Sequence, residues 1–177
     1  MSKLKLATVW LDGCSGCHMS FLDMDERLLE LAELVDLVYS PLVDTKEFPD
    51  DVDIALVEGA VASVADEAKI KKVRARSKTL VAMGDCAITT NVPGMRNPIG
   101  PDAILSRAYL ENATVQQQIP ILGVPGLLPV VRPIHECVKV DVFLPGCPPS
   151  AETFHTALTA LITGAPMDIS ALTRFGA

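Results

Sequence analysis

Three separate segments of the chain place a cysteine directly after a short apolar run that favours a β-strand. In an open parallel sheet, ligands bind outside the carboxyl ends of the strands. We therefore expect the thiols of these segments to meet at one edge of a sheet. The cysteines concerned are Cys14 and Cys17 after the run 4–11, Cys86 after 79–83, and Cys147 after 138–144.

Strand and helix candidates alternate along the whole chain, which predicts a doubly wound parallel α/β sheet with helices on both faces. No internal repeat or domain boundary is visible, so we expect 1–177 to form a single domain. The Pro- and Gly-rich stretches 91–100 and 119–135 are predicted to be irregular surface loops, which are often functional. Strands are predicted at 4–11, 35–41, 54–57, 79–83 and 138–144. Helices are predicted at 18–34, 65–76 and 102–111, and a last helix is predicted to begin after a capping Ser150 and to end at about 163.

Charge and hydropathy exclude some functions. The net charge of −7 argues against binding to nucleic acid, which needs a Lys- and Arg-rich surface. No apolar run is long enough for a membrane span, and the first residues carry no export signal, so we expect a cytoplasmic protein without membrane insertion. Thiols stay reduced in that compartment, and five cysteines then suggest metal or redox chemistry before structural disulfides.

Four thiols at one sheet edge fit one 4Fe-4S cluster, which needs four Cys ligands, and Cys14, Cys17, Cys86 and Cys147 are the predicted ligands. A lone CxxC between strand and helix also fits a thioredoxin-type disulfide exchanger, but such an enzyme has no use for two further strand-end thiols. Structural zinc sites also use four thiolates, although they usually pair two short Cys hairpins. Cys137 has no flanking Gly or Pro and is interpreted as a small buried hydrophobe.

Glycines lie beside the predicted ligands. A missing side chain lets the backbone approach the cluster and donate N–H hydrogen bonds, so we predict that these glycines help to bind the cofactor. Ordinary strand-end turns would explain the same glycines equally well. The residues are Gly13, Gly16, Gly84 and Gly146.

Four motifs, in order along the chain, resemble the small subunit of nickel–iron hydrogenases, and most of all the short type found in soluble, bidirectional NAD-reducing enzymes. The resemblance runs from about Val9 to Ser150. The motifs are WLDGCSGCHMSFLD at 10–23, VEGAV at 57–61, MGDCAITTNVPGMRN at 83–97 and LPGCPPS at 144–150.

The resemblance implies a flavodoxin-like fold with one 4Fe-4S cluster whose ligands fall on the four cysteines already named. It also implies a large subunit that binds the nickel–iron centre, and iron–sulfur and flavoprotein (diaphorase) subunits that reduce NAD. This chain would relay electrons between them and would need no catalytic residue of its own. Asp12, Glu58 and Asp85 are expected near strand ends, where each could border the cluster or serve as a cap or turn residue.

Two departures from the wider family matter. Many small subunits continue into a region with more clusters, whereas no cysteine follows Cys147 here, so one cluster is expected. The loop that holds the flavin phosphate in flavodoxins carries the CxxC here, so FMN on this chain is not expected, though the sequence leaves it open.

Two other functions fit the same motifs. One is the cluster subunit of a complex I-like or membrane-bound hydrogenase, although the complex I subunit is expected to carry adjacent cysteines, whereas Cys14 and Cys17 are separated. The other is a non-catalytic iron–sulfur redox sensor.

Overall fold

The computed structural model describes residues 3–173, which form two sheets flanked by helices. The main sheet has five parallel strands in the order β2-β1-β3-β5-β7, and β4 and β6 form a separate antiparallel pair. The strands are β1 (Leu4–Trp10), β2 (Val35–Tyr39), β3 (Val52–Glu58), β4 (Val61–Ser63), β5 (Ser77–Met83), β6 (Leu127–Arg132) and β7 (Val142–Leu144).

Residues 3–173 form seven α-helices, six of which lie between strands and the last of which follows β7. A single π-helical turn, Arg107–Glu111, extends the sixth of them, and a 3₁₀ turn, Ile134–Glu136, precedes β7. The helices are α1 (Gly16–Leu22), α2 (Arg27–Leu34), α3 (Val64–Ala75), α4 (Asp85–Thr89), α5 (Asn91–Gly94), α6 (Pro101–Ser106) and α7 (Ala151–Thr163).

The main sheet has the strand order of flavodoxin-like folds, in which β1 lies between β2 and β3. The chain therefore leaves β1 towards one side of the sheet and leaves β3 towards the other. This reversal opens a crevice beyond the carboxyl ends of the two strands, where such folds bind ligands. The predicted α/β fold and its flavodoxin-like topology are confirmed.

Both faces of the main sheet are buried, so its central strands are apolar almost throughout. Alternate residues point to opposite faces, and each face has its own core. On one face Ala55, Val57 and Leu80 contact α3 through Ile70 and Val73. The second core contains Leu56, Val81 and Met83 from the sheet, with Phe21 from α1 and Phe154 and Leu158 from α7.

Two of the longer helices begin where the sequence predicts. Ser63 caps α3 in a reciprocal capping box with Asp66, and the Ser150 side chain accepts a hydrogen bond from the backbone N–H of Thr153 at the start of α7. These caps fix where α3 and α7 leave the carboxyl edge of the sheet. The predicted role of Ser150 is confirmed.

Several stretches differ from the prediction. The stretch 91–100, predicted to be irregular, begins with the short helix α5, and the strand predicted at 138–144 is limited to Val142–Leu144. The helix expected over 18–34 is broken into α1 and α2 by a turn in which Asp25 has a φ of 51°. The helix expected at 102–111 changes to a π-helical turn in its second half. The loop predicted for 119–135 contains β6, whose partner β4 lies about 65 residues earlier in the chain. Within residues 3–173, no helix combines the length and the apolarity that crossing a membrane requires.

Substitution of Leu80 tests the importance of the buried sheet. Leu80→Ala should lower the free energy of unfolding by about 2–5 kcal/mol, because the fully buried Leu80 would leave a cavity. Leu29→Ala is the matched control on α2, where the side chain is 72% exposed, and it should change stability by less than about 0.5 kcal/mol. Urea denaturation of both variants measures the difference, and equal losses would contradict this description of the core.

Candidate functional site

Three loops at the carboxyl edge of the main sheet form the candidate site. They follow β1, β5 and β7, and each carries predicted cysteine ligands. Backbone hydrogen bonds join the second loop to the third: Gly84 donates to the Leu144 carbonyl at 2.8 Å, and Asp85 donates to the Gly146 carbonyl at 2.9 Å. The Asp85 carboxylate accepts the Gly146 N–H at 2.8 Å. Asp85 therefore bridges the two loops that carry Cys86 and Cys147.

The first loop is attached to the third through α1. The Ser20 hydroxyl donates to the Pro149 carbonyl at 2.5 Å, and this hydrogen bond is buried. The third loop turns sharply at Gly146, where φ is 144° and an added Cβ would lie 2.6 Å from the Pro149 nitrogen. The sequence places these segments about 130 residues apart, and the fold holds them side by side.

Glu58 anchors the cysteine loop to β3. Its carboxylate accepts the backbone N–H of His18 at 3.0 Å, in the first turn of α1, where helix N–H groups lack intrahelical partners. Ser15, the residue before α1, makes no side-chain cap. Glu58 thus caps α1 from a strand 40 residues away and fixes the helix that begins with Gly16 and Cys17.

The imidazole of His18 strengthens this anchor, because its Nδ1 pairs with the same carboxylate oxygen of Glu58. His18 and Glu58 are each only 1% exposed, which makes them the two buried titratable residues besides cysteine within 3–173. Buried polar groups are costly unless paired. The other ring nitrogen, Nε2, is buried and has no hydrogen-bond partner among the residues described.

Cys17 and Cys86 each lie within electrostatic range of the other predicted ligands. Burial raises the pKa of the Cys17 thiol, and the charges of Glu58, Cys86, Cys14 and Cys147 raise it further. Burial likewise raises the pKa of Cys86, and Cys14 and Cys147 add to the effect. A positive centre such as bound metal would favour ionisation of Cys17 and Cys86.

Hydrogen-bond donors reach three of the four sulfur atoms. The backbone N–H of Gly16 donates to Cys14 at 3.4 Å, and the Asn91 side-chain amide donates to Cys147 at 3.3 Å. The backbone N–H of Val92 donates to Cys86 and lowers its pKa. Bonds of this kind favour the thiolate and tune the potential of iron–sulfur centres.

The four predicted glycines play different structural parts. An added Cβ on Gly84 would lie 2.2 Å from the Cys17 sulfur, so only glycine fits there. Gly13 is in close contact with Gly59, where its Cβ would lie 3.3 Å from the Gly59 Cα. Gly16 donates to a cysteine sulfur, whereas the Gly146 N–H donates to Asp85. Close approach to the thiols is therefore a property of Gly16 and Gly84 in particular.

The site is open on one side. Cys17 and Cys86 are buried beneath the loops, whereas Cys14 and Cys147 are exposed. Cys137 lies apart from them, half-buried against the core beside α3, where the charged groups nearest to its thiol are Arg132, Glu67, Glu136 and Lys71. Asp12 also lies outside the group of four thiols, and burial followed by the charge of Asp66 raises its pKa.

The residues present have the donor chemistry of an iron–sulfur site. Four cysteine thiolates are the ligands of a 4Fe-4S cube, in which each binds a different iron atom, so the sulfur ligands are spaced more widely than around one ion. Within 3–173, no three His, Cys, Asp or Glu side chains are close enough together to hold a single metal ion. Gly84 leaves room for the Cys17 sulfur itself, because an added Cβ would lie 2.2 Å from that atom.

Sequence reasoning missed the groups that support the cysteines. Asn91 and Val92 lie in a stretch predicted to be irregular, yet they donate to Cys147 and Cys86. Glu58 was expected only near a strand end, and its pairing with His18 was not foreseen. The VEGAV motif was the available signal, because a carboxylate that ends an apolar strand requires a partner.

Comparison with known proteins identifies the family. The family model described as "NADH ubiquinone oxidoreductase, 20 Kd subunit" matches residues 14–161. The NAD-reducing hydrogenase HoxS subunit delta of Cupriavidus necator is 40% identical over 98% of this chain and 86% of its own length. One subunit of the vhu F420-non-reducing hydrogenase of Methanocaldococcus jannaschii is 37% identical over 91% of this chain, which spans only 57% of that relative.

Comparison with solved structures supports the same family. A chain in the crystal structure of an NAD⁺-reducing [NiFe]-hydrogenase in the H2-reduced state has a TM-score of 0.94 and 40% identity, covering 98% of this chain and 99% of that one. A [NiFeSe]-hydrogenase from Dm. baculatum shares the fold alone, with a TM-score of 0.60, 18% identity, and coverage of 94% and 67%. The resemblance seen in the four motifs is confirmed. The chain belongs to the family of the 20 kDa subunit of NADH ubiquinone oxidoreductase, in the group formed by the small subunits of NAD-reducing nickel–iron hydrogenases.

Proposed function

We propose that this chain holds one 4Fe-4S cluster through Cys14, Cys17, Cys86 and Cys147 and relays electrons within an NAD-reducing hydrogenase. The relay would run between a nickel–iron centre on a large subunit and an iron–sulfur and flavin module that reduces NAD. The observation that carries the proposal is that hydrogen bonds hold the three cysteine-bearing loops side by side at the crevice of a flavodoxin-like sheet, with Gly84 directly against the Cys17 sulfur.

The surroundings of the thiols favour a cluster over a disulfide exchanger. Such an exchanger uses only the two thiols of its CxxC. Cys86 and Cys147, with their own N–H donors, would have no part in dithiol exchange.

The chain's own residues position the cysteines and set their electrostatics. The bound cluster would supply one-electron transfer. Glu58 and His18 fix the cysteine loop, Asp85 fixes the two other loops against each other, and the buried Cys17 and Cys86 lie where water is excluded. No general base or nucleophile on this chain is needed.

The exposed side of the site adjoins an apolar surface, which we assign to the large subunit. This apolar loop face comprises Val92, Met95 and Ile99 from one loop stretch and Ile121 and Leu122 from another, all more than half exposed. It reaches the site through Asn91, which bonds Cys147. Residues 91–127 carry two acidic and two basic side chains, so the face has no net charge. Large, apolar interfaces of this type are typical of obligate complexes.

Single Cys→Ser variants at the five cysteines test the ligand set. Changes at Cys14, Cys17, Cys86 and Cys147 should each reduce iron and sulfide content and abolish or alter the EPR signal of the dithionite-reduced protein, because each thiolate binds one iron. The same variants, assembled with the partner subunits, should lose reduction of NAD by dihydrogen. Cys137→Ser is the control and should retain cluster and activity. Loss of the signal in Cys137→Ser with retention in Cys86→Ser would overturn the assignment.

Gly84→Ala tests whether the glycines make room for the cluster ligands. The new methyl group would lie 2.2 Å from the Cys17 sulfur and displace it, so most of the cluster iron should be lost. Gly100→Ala is the matched control, because Gly100 has a similar φ, +87° against +82°, but nothing within 4 Å of an added Cβ. Both variants bear the same backbone strain. Equal iron content in the two would show that strain, and not contact with Cys17, decides.

Two substitutions of Glu58 separate its hydrogen bonds from its charge. Glu58→Gln keeps an oxygen that can accept the His18 N–H, so the cluster should be retained at a higher midpoint potential, because a buried negative charge opposes the added electron. Glu58→Ala leaves the buried His18 without a partner and should lower both cluster content and stability, the latter by about 1–3 kcal/mol. Redox titration followed by EPR measures the potential. A lower potential in Glu58→Gln would contradict the electrostatic role.

A further inference from the structure

A second exposed surface has properties unlike those of the apolar loop face. It lies on α2, on the last residue of α1 and on β2, the edge strand of the main sheet, and we name it the acidic leucine face. Its leucines are 37–72% exposed, and its glutamates lie on the same side of α2 as two of them. The face is formed by Leu22, Leu29, Leu34 and Leu37 with Glu30 and Glu33.

Most of the net charge of the protein lies in the segment that forms this face. Residues 22–37 contain six acidic and one basic side chain, a net charge of −5. The whole chain carries −7, so all remaining residues together contribute −2. The acidic character is therefore local. Glu30 and Glu33 have no ion-pair partner within residues 3–173, so these charges are not used to hold the fold together.

Helix α2 is also loosely packed against the rest of the protein. It contains no buried residue, and a cleft lies on each side of it. One cleft, of about 260 Å³, lies between α2 and α7 and is lined by Leu31, Leu34, Leu158 and Ile162. The other, of about 190 Å³, is lined by Phe21, Leu22, Leu28 and Leu37. Unfilled apolar clefts beside exposed leucines are typical of a surface that a protein partner completes.

The face is continuous with the cysteine site. Arg27, the first residue of α2, pairs with Glu152 in the first turn of α7 at 2.6 Å. That turn follows the loop of Cys147, and α1, which precedes α2, is bonded to the same loop through Ser20. A partner seated on the start of α2 would therefore lie beside the exposed edge of the thiol site. It would share no residue with the apolar loop face.

The negative charge of the acidic leucine face indicates which partner would bind there. A second copy of this chain would bring a segment of charge −5 against another of −5, and an anionic lipid surface would also be repelled. A partner with a Lys- and Arg-rich surface around apolar pockets would be attracted and oriented, as charged interfaces are in protein association. We propose that the acidic leucine face docks the electron-exchanging iron–sulfur subunit of the NAD-reducing module, through a basic surface on that subunit. This inference rests on the proposed function and adds the place and the chemistry of the second interface.

The test uses the assembled complex with Glu30→Lys and Glu33→Lys introduced together. The control carries Glu136→Lys and Asp168→Lys, two exposed acidic residues outside the face, and changes the net charge equally. The variant should bind the NAD-reducing module roughly tenfold more weakly than wild type, with a reduced dependence on salt concentration. The control should bind as wild type does. Size-exclusion chromatography and binding titrations over a range of salt concentrations measure this.

Two activities distinguish failure of this inference from failure of the proposed function. Reduction of an artificial one-electron dye by dihydrogen needs only the hydrogenase half, and it should be unchanged in the variant, as should the EPR signal. Reduction of NAD by dihydrogen should fall with the loss of the module. If this chain, purified with the large subunit alone, contains no cluster, the proposed function fails. If the cluster is present and the variant binds the module as tightly as wild type, or if variant and control weaken equally, the docking inference is wrong.

Discussion

The position of the cysteine loop in the candidate site depends on the carboxylate of Glu58. It ends the central strand of the main sheet and holds both the backbone and the ring of His18, so the cysteine loop is tied to the most deeply buried part of the fold. A loop held only by its two ends could move, and four ligands must be fixed together for one cluster to form. The same carboxylate places a negative charge beside Cys17, so anchoring and electrostatics come from one side chain.

The sequence alone predicted much of the site because it is built at strand ends. Apolar runs located β1, β5 and β7, and the parallel topology then required that Cys14, Cys86 and Cys147 approach each other. Ser150 was found because capping is a local property of a few residues.

What the sequence could not show depends on contacts between distant segments. The β4–β6 pair joins segments about 65 residues apart, and β6 contains Pro129, which argues against a central strand. The break between α1 and α2 depends on the positive φ of Asp25, for which no glycine gave a signal. Asn91 and Val92 became visible as hydrogen-bond donors to sulfur only when the fold brought their loop against Cys147 and Cys86. In each case the three-dimensional surroundings, and not the local pattern, decided the outcome.

Gly84 shows how one missing side chain limits the sequences that can build such a site. Its backbone turns at a positive φ directly against the Cys17 sulfur, so the position two residues before the third cysteine is closed to all other amino acids. A sequence search for proteins with the proposed cluster site should therefore look for the tripeptide Gly-x-Cys at the end of an apolar strand. A cysteine in that place with a bulkier residue two positions before it would require a different path of the backbone around the sulfur.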